Sequence, residues 1–151
     1  MSRASTIANL IERTVTGPMW HGPALTDVLD GVQHDRAAAR PIAGAHTIWE
    51  IVRHVTAWAE IARRRLGGEA VDPTPEEDWP PVSEVGLEAW ARAVEQLGAS
   101  HRALAAAARG LQDAELDAMV AGQEYSAAIM LHGVAEHGTY HGGQIALLKK
   151  A

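Results

Sequence analysis

Apolar residues recur at intervals of three and four in four long stretches of the chain, and no stretch shows the alternation of a half-buried strand. Ile7, Leu10, Ile11 and Val15 predict a first helix over residues 3 to 16, stopped by Gly17-Pro18. Ile48, Ile51, Val52, Val55, Ala59 and Ala62 line a second, from Thr47 to Leu66, ended by Gly67-Gly68. Its start is marked by a capping box, in which Thr47 bonds the amide of Glu50 and Glu50 reaches back to the amide of Thr47. A third helix, over about 84 to 109, carries Leu87, Trp90, Val94, Leu97, His101, Leu104 and Ala108 in register. The fourth spans roughly 125 to 149, although glycines at 133, 138, 142 and 143 each cost it up to about 1 kcal/mol relative to alanine. Close approach of a neighbouring helix or a ligand is one explanation for that cost.

The connections are less regular. A Gly/Pro-punctuated segment from Met19 leads into a short helix at about 24 to 30, and a further turn or two over 34 to 40 is closed by Pro41. Residues 72 to 82 hold four prolines and four acids and read as an extended loop, with Trp79 either a pocket wall or part of a solvated connection. Leu111 to Val120 is a short helical or looped link. Such amphipathic helices must cover one another's apolar faces, which predicts an all-α four-helix bundle with one or two short extra helices, in a single domain over 1–151.

At 151 residues and 47% hydrophobic, the chain can bury a sizeable core. A net charge of −6 and only short basic runs, Arg63-Arg64-Arg65 and Lys149-Lys150, argue against nucleic-acid binding, because both runs fall where cations complement a helix C-terminus. No apolar run approaches a membrane span and Met1 to Ile7 holds no signal core, so no membrane partner and a cytoplasmic location are expected. There is no cysteine, which excludes disulfides, thiolate metal sites and a protein-borne thiol nucleophile.

The candidate chemistry lies in histidines on apolar faces. Met130, Val134, His137, His141, Ile145 and Leu148 share one face of the last helix, and imidazoles at i and i+4 stand about 5 to 6 Å apart at Cβ, close enough to chelate one ion. The spacing differs from the zinc-protease H-E-x-x-H helix, since Gly138 stands where the general-base Glu belongs and Glu136 points about 100° away. His54 lies at the edge of the apolar face of the second helix, about 10 Å from its start, while His141 and His137 lie about 12 and 18 Å from the end of theirs. Depth therefore permits all three to meet, and antiparallel helices would bring them level. His101, on the stripe of the third helix, is a second candidate. Trp20 and His21 line a pocket mouth or else anchor a loop.

The run His46-Thr47-Ile48-Trp49-Glu50-Ile51-Val52-Arg53-His54-Val55, followed by His137-Gly138-Thr139-Tyr140-His141-Gly142-Gly143-Gln144-Ile145, resembles the DinB/YfiT-like superfamily over essentially the whole chain, including Trp20-His21-Gly22 and Trp79-Pro80. The resemblance implies an up-down-down-up bundle and a divalent metal, zinc or nickel foremost, held by His54, His137 and His141. It also implies reaction of a small-molecule substrate, with transfer of a low-molecular-weight thiol of the bacillithiol or mycothiol type foremost. The alternatives are hydrolysis through activated water and a non-catalytic metal- or ligand-binding bundle. A homodimer is the expected assembly. Many relatives carry an acid just after the first histidine of the final motif, where this chain has Gly138. The implied topology sets His101 apart: with the second and third helices parallel, it lies about 25 Å along its helix against about 10 Å for His54. Gln144, Tyr140, Trp58 and His132 are candidates for supporting roles, His132 on the surface.

Overall fold

A computed structural model describes residues 1–151 and is all-helical, with eight helices: α1 (Arg3–Thr16), α2 (Leu25–Leu29), α3 (His34–Ala38), α4 (Ile48–Leu66), α5 (Pro75–Asp78), α6 (Leu87–Arg109), α7 (Asp113–Asp117) and α8 (Ala127–Leu148). The four long helices agree with the apolar periodicity. The short ones number four rather than one or two, and one of them, α5, sits in the stretch expected to be loop. Its signal is Thr74-Pro75-Glu76-Glu77: Thr74 caps the amide of Glu77, Glu77 reaches back to the amide of Thr74, and Pro75 occupies the first turn, where its missing N–H is harmless. The prolines around it obscure that signal.

The predicted capping box on α4 is present, with Glu50 N–H donating to Thr47 Oγ1 at 3.1 Å and Thr47 N–H to the Glu50 carboxylate at 2.7 Å. Arg40 grips the same carboxylate at 2.8 Å and ties the preceding loop to the helix start. Ser126 caps α8, and the Trp90 indole N–H donates to Val32 O at 2.8 Å, pinning α6 to the chain between α2 and α3.

Helix α1 packs on α6 and α8, and α4 packs on the same two. The core is divided into two apolar clusters. Going along α1, Ala4 to Ile11 belong to one and Val15 to the other; α8 runs the same way, from Ala127 and Val134 to Ile145 and Leu148. On α4 and α6 the order reverses, from Ile48 and Val55 to Ala59 and Ala62, and from Trp90 and Leu97 to Leu104 and Ala108. The topology is therefore up-down-down-up, with α4 antiparallel to α8.

The junction between the clusters is where polar groups enter the core: Thr14, His54, His101 and His141 are all buried there. His101 is nearer in level to His54 than residue counting from the helix starts implies, since the junction falls between Leu97 and Leu104 on α6 and between Val55 and Ala59 on α4. The starts of α4 and α6 are not at a common height, so they are a poor datum.

Gly138 meets α1 at this junction. A Cβ there would lie 2.6 Å from Thr14 Cγ2, whereas Gly133 and Gly143 face open space and Gly142 has only ordinary contact with Leu25. Thr14 cannot easily rotate away, because it is buried and its hydroxyl donates to Leu10 O. Overpacking at such a site costs about 1 to 3 kcal/mol, against a propensity gain near 1 kcal/mol. Gly138→Ala is therefore expected to lower urea stability by up to about 2 kcal/mol, while Gly143→Ala raises it by up to about 1 kcal/mol. Equal stabilities of the two variants would refute the close-packing explanation.

Candidate metal centre

Because α4 and α8 run antiparallel, His54 faces the i, i+4 pair His137 and His141. Their ring centroids lie 4.8 Å (His54 to His137), 4.8 Å (His54 to His141) and 4.5 Å (His137 to His141) apart, and one nitrogen from each falls within 4.8 Å of the other two. This is the cluster that the sequence reading assembled.

The remaining ring nitrogens determine what the cluster can do. His54 Nδ1 lies 2.7 Å from the carbonyl oxygen of Asp78 and so donates to it, leaving Nε2 with a free lone pair. His141 Nδ1 likewise donates to Gln144 Oε1 at 2.6 Å, and Gln144 Nε2 donates in turn to Tyr140 Oη at 3.2 Å. His137 Nε2 stands 2.9 Å from His54 Nε2. Two imidazoles are thus held in the tautomer that presents Nε2 inward, which is how metal-binding histidines are usually oriented by their outer partners.

All three rings are kept neutral. Burial pushes His137 down to about 3, helped by the neighbouring His141 and His54. Burial also lowers His54 and His141, partly opposed by the bonds to Asp78 and to Gln144 respectively. The 3.3 Å approach of Asp78 Oδ1 to His54 Nδ1 is therefore not an ion pair at neutral pH, and that carboxylate oxygen instead accepts from the Trp58 indole N–H at 2.7 Å. A metal ion requires deprotonated imidazoles, and the donor set fits one.

Trp79 closes one side. Its ring stacks on His54 at 3.7 Å and on His46 at 3.6 Å, nearly parallel to both. Trp79 is thus half-buried against two histidines and is neither a wall of the adjoining cavity nor part of a fully solvated connection. On another side lies a cavity of about 390 Å³, walled by Trp58, Met130, Gly133 and Val134 between His54 and His137, with Arg65 and Tyr125 further along. It lies within the usual range for small-ligand sites.

Of the other candidates, Gln144, Tyr140 and Trp58 join this network and His132 is exposed. Trp20 is 98% exposed, and His21 lines a separate small hollow beside Gly138 and Gly142. His101 stays out of the cluster, its Nδ1 donating to Leu97 O of its own helix at 2.8 Å. Asp78, Arg65 and Tyr125 were missed. Only Asp78 had a local clue, as part of the capped turn of α5, and its main contribution is a backbone carbonyl that no residue type encodes.

Fold and site together define a helical-bundle protein with a three-histidine centre shared between two antiparallel helices. The chain belongs to the DinB superfamily, whose family model matches residues 20–145. No curated protein and no solved structure matches it.

Unfolded, each imidazole protonates near pH 6.5, whereas the folded chain holds the three below that value. The unfolded state therefore binds more protons between pH 6.5 and about 3, and stability present above pH 6.5 is lost as the pH falls through that interval. In chelator-treated protein the melting temperature is expected to decline steadily below pH 6.5, and His137→Gln to flatten the decline. A melting temperature that held constant from pH 7 to 4.5 would contradict the assignment.

Proposed function

We propose that His54, His137 and His141 hold a divalent metal ion, zinc or nickel foremost, and that the adjoining cavity takes a small molecule which reacts there with a low-molecular-weight thiol. The observation that carries this reading is the tautomer control: two of three neutral imidazoles have Nδ1 committed and Nε2 turned toward the cluster. An ion so held supplies Lewis acidity, which lowers the pKa of a thiol or a water reaching it.

The chain's own residues fix the rest. Asp78 O and Gln144 orient His54 and His141, Trp79 shields His54 from one side, and the apolar walls exclude water. With no cysteine in the chain, a thiol nucleophile has to come from outside. Hydrolysis by activated water is the competing reading, since Asp78 is the one carboxylate lining the cavity and, with Oδ1 accepting from Trp58, its Oδ2 is left as a base for water. Assembly as a homodimer is part of the proposal. Ile129, Tyr140 and Leu147 are exposed, and their spacing puts them on one outward face of α8.

Elemental analysis of untagged protein is expected to find close to one divalent ion per chain, with His54→Ala and His141→Ala each losing most of it. Gln144→Leu is expected to weaken metal affinity about 10- to 100-fold in chelator competition. Metal content unchanged in both histidine variants would sink the triad. Thiol consumption with an electrophilic substrate should follow metal content across these variants. Ester cleavage without any thiol requirement would replace transfer by hydrolysis.

A further inference from the structure

The cavity ends on a buried cation with no counter-charge. Arg65 is 6% exposed, yet no carboxylate oxygen lies within 4.0 Å of its guanidinium. Its hydrogen bonds go to neutral groups: Nε and one terminal nitrogen donate to Val71 O at 3.1 and 2.7 Å, and the other terminal nitrogen donates to Tyr125 Oη at 2.7 Å. A guanidinium has five N–H groups, so these three bonds leave two unused. The Tyr125 hydroxyl accepts from Arg65, and its own proton is unassigned. Both residues line the cavity.

Support of the Val71 carbonyl does not account for this arrangement, since a neutral amide side chain would serve without burying a charge. Charges removed from water are ordinarily paired. The guanidinium lies 5.7 Å from the Trp58 ring centroid, and Trp58 lies 6.0 Å from His137, so a single indole separates the cation from the histidine cluster. Between them the walls are apolar, formed by Ala62, Met130 and Val134.

We propose that the cavity binds an amphiphilic monocarboxylate, with its carboxylate on Arg65 and Tyr125, its apolar body along Trp58, Met130 and Val134, and its opposite end at His54 and His137. The two free N–H groups of one guanidinium match the two oxygens of a carboxylate. A dianionic phosphate would leave a charge unmatched in a cavity that already holds Asp78. This names the substrate class of the site proposed above and rests on that cavity being the substrate site, but the carboxylate contact itself requires no metal. The reacting carbon of such a substrate would lie at the end remote from its carboxylate.

Calorimetric titration of chelator-treated, metal-free protein with octanoate, octan-1-ol and octyl phosphate tests the assignment. Octanoate is expected to bind about tenfold or more tighter than the other two, as a charge-assisted hydrogen bond implies. Arg65→Met should bring octanoate and octanol to similar affinity, and Tyr125→Phe should weaken octanoate several-fold without affecting octanol. Gly133→Leu, which extends into open space, should weaken octanoate and octanol alike. Octanol binding as tightly as octanoate would overturn the proposal, as would a carboxylate preference that survives in Arg65→Met. If circular dichroism shows Arg65→Met unfolded, octanoate binding unchanged in both Tyr125→Phe and Gly133→Leu overturns it instead. Octanoate that binds only after metal loading places the carboxylate at the histidines and also refutes the subsite. Octanoate binding to a protein that never takes up metal would uphold the subsite and refute the metal reading alone.

Discussion

Imidazole nitrogens buried in the middle of a helical bundle are costly to leave without partners, and the architecture around the cluster follows from how His54 and His141 find theirs. Leaving a buried polar atom unsatisfied costs about 1 to 3 kcal/mol, comparable with a large share of the net stability of a domain this size. His54 is satisfied by the Asp78 carbonyl and His141 by Gln144. Both bonds consume Nδ1, so the remaining lone pairs turn toward one another and toward His137. The requirement is local, yet it fixes the path of the chain at Asp78, the rotamer of Gln144 and the pairing of α4 with α8.

The long helices were legible because apolar residues at helical spacing report burial directly, and the Thr47-Glu50 box marked the start of α4 to the residue. The i, i+4 pair was legible because it is local, and depth along two helices permitted His54 to join it, but the assignment of all three to one centre came from the superfamily resemblance. What lay out of reach was anything set by chain path between helices. Asp78 acts through its carbonyl, Trp79 acts by lying flat between His46 and His54, and neither role leaves a periodic trace. Arg65 belonged to a basic triplet at the end of α4 that read as dipole compensation. That reading suits Arg63 and Arg64, which pair with surface acids, but Arg65 turns inward.

His101 is kept out of the cluster by something other than height. His101 was set aside as lying far from the level of His54, and it does stand apart from the cluster. Its separation comes from lying on α6, with Nδ1 bonded to its own helix, and not from height. Its Nε2 is buried without a protein partner and burial lowers its pKa. Gly138 gives the converse case. Its lack of an acidic side chain looked like a departure in chemistry, but the 2.6 Å gap to Thr14 is a packing constraint that penalises any side chain there. An acidic side chain at this position would meet the same contact with Thr14.

The short helix α5 couples two functions that are usually separable. Asp78, its last residue, holds His54 through the carbonyl and Trp58 through the carboxylate, and Trp79, next in sequence, covers His54. Trp58 is at the same time a wall of the cavity and the nearest aromatic face to Arg65. Movement of this one turn would therefore alter the basicity of a cluster histidine and the shape of the adjoining cavity together. Trp58 and His54 are thus joined through one residue, Asp78, by two 2.7 Å hydrogen bonds. The arrangement ties the shape of the cavity wall at Trp58 to the hydrogen bond that orients His54.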